Sequence, residues 1–233
     1  MNDIRIATLV PTYADISPKV YRSHINALLV SMKKGYQITQ LGLTEKELLC
    51  HARNSLLEAF MSSNCTHALC LDADVALPPH AVASLVEAKK DMITGIYYQK
   101  AAPYYPVIMT RGVFKGNKDR KHQFFVKWPE NTIFPIDACG FGCILIKREV
   151  FEKIKYPWFA WTEKSGEDID FCMKVKKKGI DIFCHSGVVC GHVGSKEFTA
   201  EDFNSQEIKN IRKIRISEGV YAEEVESGIN LRQ

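Results

Sequence analysis

The chain has 233 residues, 46% of them hydrophobic and 25% charged, and 31 Lys and Arg against 27 Asp and Glu leave a formal charge of +4. This composition excludes wholesale disorder and provides enough chain to bury a sizeable core. So small a positive excess argues against the extended basic face of a nucleic-acid binder, and no window approaches the roughly 20 apolar residues that span a bilayer.

Strand-length apolar runs alternate with helical stretches, which predicts an α/β fold with a mainly parallel sheet covered by helices. Ile4 to Val10 is a β-branched run ended by Pro11, and the opening MNDIRIATLVPTY reads as a strand rather than a signal peptide. Val20, Ile25, Leu28 and Leu29 recur at helical spacing over 20–32. A second strand covers Ile38 to Leu41. Thr44 with Glu47 three residues on has the form of a capping box, for a helix through Phe60. His67 to Leu71 is a third strand, Ala81 to Lys89 a helix opened by Pro78-Pro79, and Met92 to Tyr97 a strand. Residues 99–135 are punctuated by proline and glycine around short aromatic strands. Then come a strand at Cys143 to Ile146, a helix from Arg148 to Ile154, and an aromatic loop from Tyr156 to Gly166. A helix over Asp168 to Lys178 is stopped by Gly179, and short strands follow at Ile180 to Phe183 and Val188 to Cys190. Basic residues Lys209, Arg212, Lys213 and Arg215 interleave with Ile208, Ile211, Ile214 and Ile216, predicting an amphipathic helix from Asp202 to Ile216. The expected layout is one domain over 1–196 and a helical extension over 197–233, packed on the domain or pairing with a second copy. Membrane contact would be at most peripheral. The eight cysteines sit mostly inside apolar runs and form no CxxC pair, which suits a cytoplasmic protein without structural zinc.

The strongest chemical signal is Leu69-Cys70-Leu71-Asp72-Ala73-Asp74-Val75. A buried strand that ends in two carboxylates needs something to neutralise them, and a divalent cation does so. Strand C-termini are where open α/β sheets bind ligands, and an ion there can bridge the phosphates of a nucleotide diphosphate. The plainer reading is that these acids cap the helix after Pro78. Ser165-Gly166-Glu167-Asp168-Ile169-Asp170 puts three acids at a helix start, where they complement the macrodipole. A lid loop that delivers a carboxylate able to deprotonate an acceptor hydroxyl is the functional alternative, with Asp170 reserved as a cap or a link to a nearby Lys or Arg. In Cys190-Gly191-His192-Val193-Gly194, an imidazole between glycines suits a metal ligand, with His185 the competing histidine. Trp158 and Trp161 could stack on a sugar or plug the core, and Lys174 to Lys178 reads as a solvated helix face.

D-A-D after the third strand, G-E-D-I-D before a helix and G-H-V-G after the following strand together resemble the GT-A-type, nucleotide-sugar-dependent glycosyltransferases. The inverting family 2 group and its small phage and bacterial versions are the nearest in pattern. The resemblance covers roughly residues 4 to 195 and includes Val10-Pro11-Thr12 and Ala52-Arg53-Asn54. It implies a GT-A (Rossmann-like) α/β fold with a small antiparallel second sheet, and a donor that is a UDP- or GDP-sugar used with Mn²⁺ or Mg²⁺. The acceptor would be a glycan, lipid-linked or other hydroxyl. By the same resemblance Pro11, Thr12 and Tyr13 would flank the base, and Arg53 would approach the base, ribose or diphosphate. Asp72 and Ala73 would face the ribose or sugar. Asp74 would bind the metal with His192, and with Asp72 as a further candidate. Asp168 would be the general base, Glu167 would hold an acceptor hydroxyl, and Gly140 and Gly142 would let backbone approach the sugar or simply form a turn. The chain departs from the pattern in having lysines rather than an arginine after G-E-D-I-D, and no early aspartate at Gln40-Leu41-Gly42. A haloacid-dehalogenase-type phosphatase using Asp72 and Asp74, and a non-catalytic sugar-nucleotide-binding module, are the alternatives.

Overall fold

The computed structural model describes residues 4–112, 121–163, 165–204, 208, 211–217 and 219–225. In chain order the elements are β1 (Arg5–Val10), α1 (Pro18–Lys33), β2 (Gln37–Leu43), α2 (Leu49–Met61), β3 (His67–Leu71), β4 (Val75–Ala76), α3 (Ala81–Glu87) and β5 (Met92–Ile96). They continue with β6 (Ile108–Gly112), β7 (Lys121–Lys127), β8 (Ile133–Ile136), β9 (Ala138–Cys139), β10 (Cys143–Lys147), α4 (Arg148–Glu152), α5 (Glu167–Lys177) and β11 (Ile182–Val189). The last are β12 (Gly191–Val193), β13 (Glu197–Phe198), β14 (Ile211–Ser217) and β15 (Val220–Val225).

The main sheet has the order β2-β1-β3-β10-β5-β11-β8. β1 runs parallel to β2 and β3, and β5 parallel to β11, whereas β10 is antiparallel to both its neighbours and β8 is antiparallel to β11. The sheet is therefore mixed, with β10 reversing direction at its centre.

Both faces of this sheet are covered, which explains why its strands read as unbroken apolar runs. Alternate residues enter opposite cores. Ala7 and Leu9, Ala68 and Cys70, and Ile144 and Ile146 join Leu57 and Phe60 of α2 and Phe171 of α5. Ile6, Leu69 and Leu145 join Leu28 of α1 and Val82 and Leu85 of α3. Two smaller sheets complete the fold: β13-β12-β4 and β14-β15-β7-β6-β9.

Three expectations need correction. The amphipathic C-terminal helix is absent over 211–217, where β14 instead forms a hairpin with β15 that continues the β7-β6 sheet. Ile214 and Ile216 pack on the core with Lys213 and Arg215 exposed between and beside them, so the period is two, as β-branched residues favour. Gly219, at φ +70, takes the left-handed turn position between the strands. Pairing of copies through that helix has no helix here to run through; Lys209 lies outside the described residues. Helix α2 starts at Leu49, not after Thr44, because the Thr44 hydroxyl accepts from Thr12 N rather than from a helical amide. Finally, the two short strands expected over 180–190 are one strand, β11, with β12 following. Among the described residues no helix is long and apolar enough to cross a membrane.

Candidate functional site

The D-A-D segment leaves β3 and is held on three sides. Asp72 N donates to Gly142 O, Val193 N donates to Asp74 O at 2.7 Å, and β4 pairs antiparallel with β12 so that His192 lies opposite Val75. From α1, buried His24 donates through Nε2 to Val75 O and the Ser23 hydroxyl accepts from Leu77 N. Burial lowers the His24 pKa despite that bond, so the imidazole is neutral near pH 7.

Asp74 and His192 meet. Oδ2 of Asp74 is 3.4 Å from Nε2 of His192, and Nδ1 of His192 is 2.7 Å from the Tyr98 carbonyl. A carbonyl only accepts, so Nδ1 carries a proton, and Nε2 is the ring nitrogen that faces the carboxylate. This backbone-anchored imidazole is the arrangement that metal-ligating histidines use. Tyr97 stands edge-on to the same ring, with centroids 5.3 Å apart. Lys100 Nζ lies 2.6 Å from Asp74 Oδ2. Partial burial alone would raise the Asp74 carboxyl, but His192 and Lys100 outweigh it and hold the pKa at about 2.

Asp72 turns elsewhere. Its Oδ1 accepts from Arg53 Nη2 at 2.9 Å, and Arg53 Nη1 is 3.1 Å from Glu167 Oε1. Arg53 is only 7% exposed, and its guanidinium lies 5.2 Å from the Phe141 ring and 5.8 Å from that of Phe159. Beside it, in the first turn of α5, Asp168 Oδ1 accepts from Ile169 N. The cost of desolvating its charge, with Glu167 and Asp72 nearby, pushes Asp168 up to about 6 although Arg53 and the Ile169 amide pull the other way.

The aromatic loop before α5 is clamped to the body. Asn54 donates through Nδ2 to Phe159 O at 2.8 Å and accepts from Phe159 N at 3.1 Å. Lys174 pairs with Asp170 and donates to the carbonyls of Pro157 and Trp158, which gives Asp170 the basic link expected of it. The two tryptophans divide: Trp158 donates to Phe151 O, whereas Trp161 is 64% exposed.

The sequence-derived candidates thus fall into two groups, Asp74 with His192, and Arg53 with Asp72, Glu167 and Asp168. Pro11 lies by Arg53 and Phe159. Thr12 is fixed by Thr44 and Lys46, Tyr13 is largely exposed, and Ala73 packs on the α1 side of the sheet. Gly140 and Gly142 meet Tyr97: a Cβ on them would stand 1.9 Å from the Tyr97 hydroxyl and 2.8 Å from Tyr97 Cζ. His185 receives the Gly187 amide within its own turn. Lys100, Tyr97 and Tyr98 were not legible as site residues, since Tyr97 merely ends the strand expected from Met92 and the residues after it carry no motif. Among the described residues no three His, Cys, Asp or Glu side chains gather around a common point that could hold a metal ion; Asp74 and His192 offer two donors.

No family model matches the chain, and no curated protein matches it by sequence. Solved structures do match by fold. A197 from STIV superposes with a TM-score of 0.58 at 18% identity, covering 99% of this chain and 98% of that one. GalNAc-T7, solved with UDP, GalNAc and Mn²⁺, superposes with a TM-score of 0.57 at 12% identity over 83% of this chain. The fold is GT-A-like. In this GT-A-like fold the mixed seven-stranded sheet carries D-A-D at the exit of β3, and the small β13-β12-β4 sheet carries His192 to it. The match spans 44% of the GalNAc-T7 chain.

Proposed function

We propose that the protein is a metal-dependent glycosyltransferase that moves a sugar from a nucleotide-diphosphate sugar to an acceptor hydroxyl with inversion. The observation that carries the reading is the Asp74–His192 pair, with Nδ1 anchored on the Tyr98 carbonyl and Nε2 turned towards the carboxylate. A carboxylate oxygen beside an imidazole nitrogen suits Mn²⁺ or Mg²⁺, which Asp74 and His192 would hold. Bound there, the cation supplies positive charge to the departing diphosphate.

The rest is done by the chain's own groups. Asp168, with a pKa of about 6, is mostly ionised at neutral pH yet basic enough to take the acceptor proton as the hydroxyl attacks the anomeric carbon. Glu167, which the resemblance assigns to an acceptor hydroxyl, is buried and paired with Arg53, and in this reading Arg53 orients both Asp72 and Glu167. Asp72 in this reading faces the ribose or sugar and leaves the cation to Asp74 and His192. Pro11, Thr12 and Tyr13 at the end of β1 flank a UDP or GDP base, while Gly140 and Gly142 serve the sugar through the position of Tyr97. A phosphatase would require Asp72 as attacking nucleophile, and its Oδ1 is engaged by Arg53.

The test is nucleotide release from a panel of UDP- and GDP-sugars with Mn²⁺, with and without sugar acceptors. Turnover in the wild type, lost in Asp74→Ala and in Asp168→Asn, is the expected result. Metal-dependent nucleotide binding without turnover on any donor would support a binding module. Donor hydrolysis and transfer unchanged in Asp74→Ala would overturn the assignment.

A further inference from the structure

Asp74 presents a single oxygen, Oδ2, to two nitrogen groups at once: Lys100 Nζ at 2.6 Å and His192 Nε2 at 3.4 Å. An ammonium and a divalent cation cannot share that oxygen without strong mutual repulsion, so a cation that joins Asp74 must displace the lysine. The lysine's place is built into the fold. Its stem lies against Gly194, where a Cβ would come within 3.1 Å of Lys100 Cδ and 3.5 Å of Cε. Its backbone belongs to a turn closed by Gln99 N to Tyr105 O and Val107 N to Tyr97 O. The same turn supplies the Tyr98 carbonyl that sets the His192 tautomer. One short segment therefore delivers both the anchor for the imidazole and the competitor for the carboxylate.

We propose that Lys100 is the resting counter-ion of Asp74, that a divalent cation displaces it, and that the displaced ammonium then pairs with the diphosphate of the donor. The inference rests on the metal reading of Asp74 and His192. Before the cation arrives, the lysine spares a half-exposed carboxylate, 45% accessible, from standing without a partner beside the imidazole. Once displaced, its flexible stem and three donors keep it within reach of phosphoryl oxygens next to Asp74. Cation and diphosphate then bind cooperatively, because each draws the lysine away from Asp74.

The test compares wild type with Lys100→Met, a change at a 36% exposed side chain that the fold should tolerate. Free Mn²⁺ is followed by its electron paramagnetic resonance signal, and inorganic pyrophosphate binding is measured by calorimetry at saturating Mn²⁺. Removing a competitor of surface ion-pair strength should tighten Mn²⁺ binding about two- to fivefold, and losing the phosphate partner should weaken pyrophosphate about tenfold. Equal Mn²⁺ affinity in the two proteins, or equal pyrophosphate affinity, overturns the proposal while leaving the metal pair standing. Absence of Mn²⁺ binding in both proteins, no different from Asp74→Asn, removes the metal reading and the lysine's role with it.

Discussion

Oδ2 of Asp74 lies 3.4 Å from Nε2 of His192, and the antiparallel pairing of β4 with β12 is what brings them together. The contact is backbone-enforced at both ends, through Val193 N on Asp74 O and His192 Nδ1 on Tyr98 O. Replacing His192 by Gln should leave the fold intact, because β12 keeps its pairing. Mn²⁺ affinity should fall by at least about tenfold, the scale on which even supporting groups of metal sites act. Calorimetric titration with MnCl₂ measures it, and unchanged affinity would show that the imidazole is no ligand.

Asp168 couples activity to stability. A carboxyl whose folded pKa of about 6 exceeds its unfolded value contributes stability fully present below pH 4, and that contribution is lost as pH rises through 6. Asp168→Asn should therefore stabilise the protein at pH 7.5 by up to about 3 kcal/mol, and this gain should vanish near pH 4. The same substitution should lower the transfer rate by about 10²- to 10⁴-fold. Denaturant melts at the two pH values, with rates at pH 7.5, check both; equal stability gains at pH 4 and 7.5 would contradict the sign.

Arg53 neutralises two carboxylates from a nearly buried position. Arg53→Met leaves Asp72 and Glu167 facing each other without it and should cost about 3–5 kcal/mol, as breaking a buried pair does. Adding Glu167→Gln should recover part of the loss. With Arg53 gone, the pKa of Asp168 should rise above about 6, so the acid limb of the pH–rate profile should move to higher pH. Urea unfolding and the profile are the measurements; a loss under about 1 kcal/mol would mean that the cluster does not depend on its arginine.

Much of this was legible in the sequence, for physical reasons. Because both faces of the main sheet are buried, β1, β3, β5 and β10 appear as continuous apolar runs, and carboxylates at such strand ends stand out against them. The C-terminal hairpin was not legible, since isoleucines at 208, 211, 214 and 216 satisfy a helical spacing while 214 and 216 alone satisfy that of a strand. The part of Lys100 was hidden because it depends on Gly194, which sequence places far away. Gly140 and Gly142 gave a glycine signal without a cause; Tyr97, from another strand's end, supplies it.

Arg148 offers a test of the scaffold. It donates to the carbonyls of Phe60, Met61, Ser63 and Cys65, closing the C-terminal end of α2, and its guanidinium lies 4.8 Å from the Phe60 ring centroid. Arg148→Ala should destabilise the protein by about 2–4 kcal/mol, since charge-assisted bonds to partly buried carbonyls are lost together. Lysine should rescue little, having no fork to span them. Thermal unfolding of both variants decides it, and a lysine variant equal to wild type would contradict the capping role.

A nucleotide diphosphate bound through a cation on Asp74 is the central feature of the proposed site. The decisive measurement is the unfolding midpoint of wild type and Asp74→Asn with UDP or GDP, in Mn²⁺ and in EDTA. A ligand at about a hundred times its dissociation constant adds roughly 2.7 kcal/mol, so one of the two nucleotides with Mn²⁺ should raise the wild-type midpoint by about 5–10 °C. EDTA or Asp74→Asn should abolish the rise. An equal rise in EDTA, or in the variant, would contradict the account.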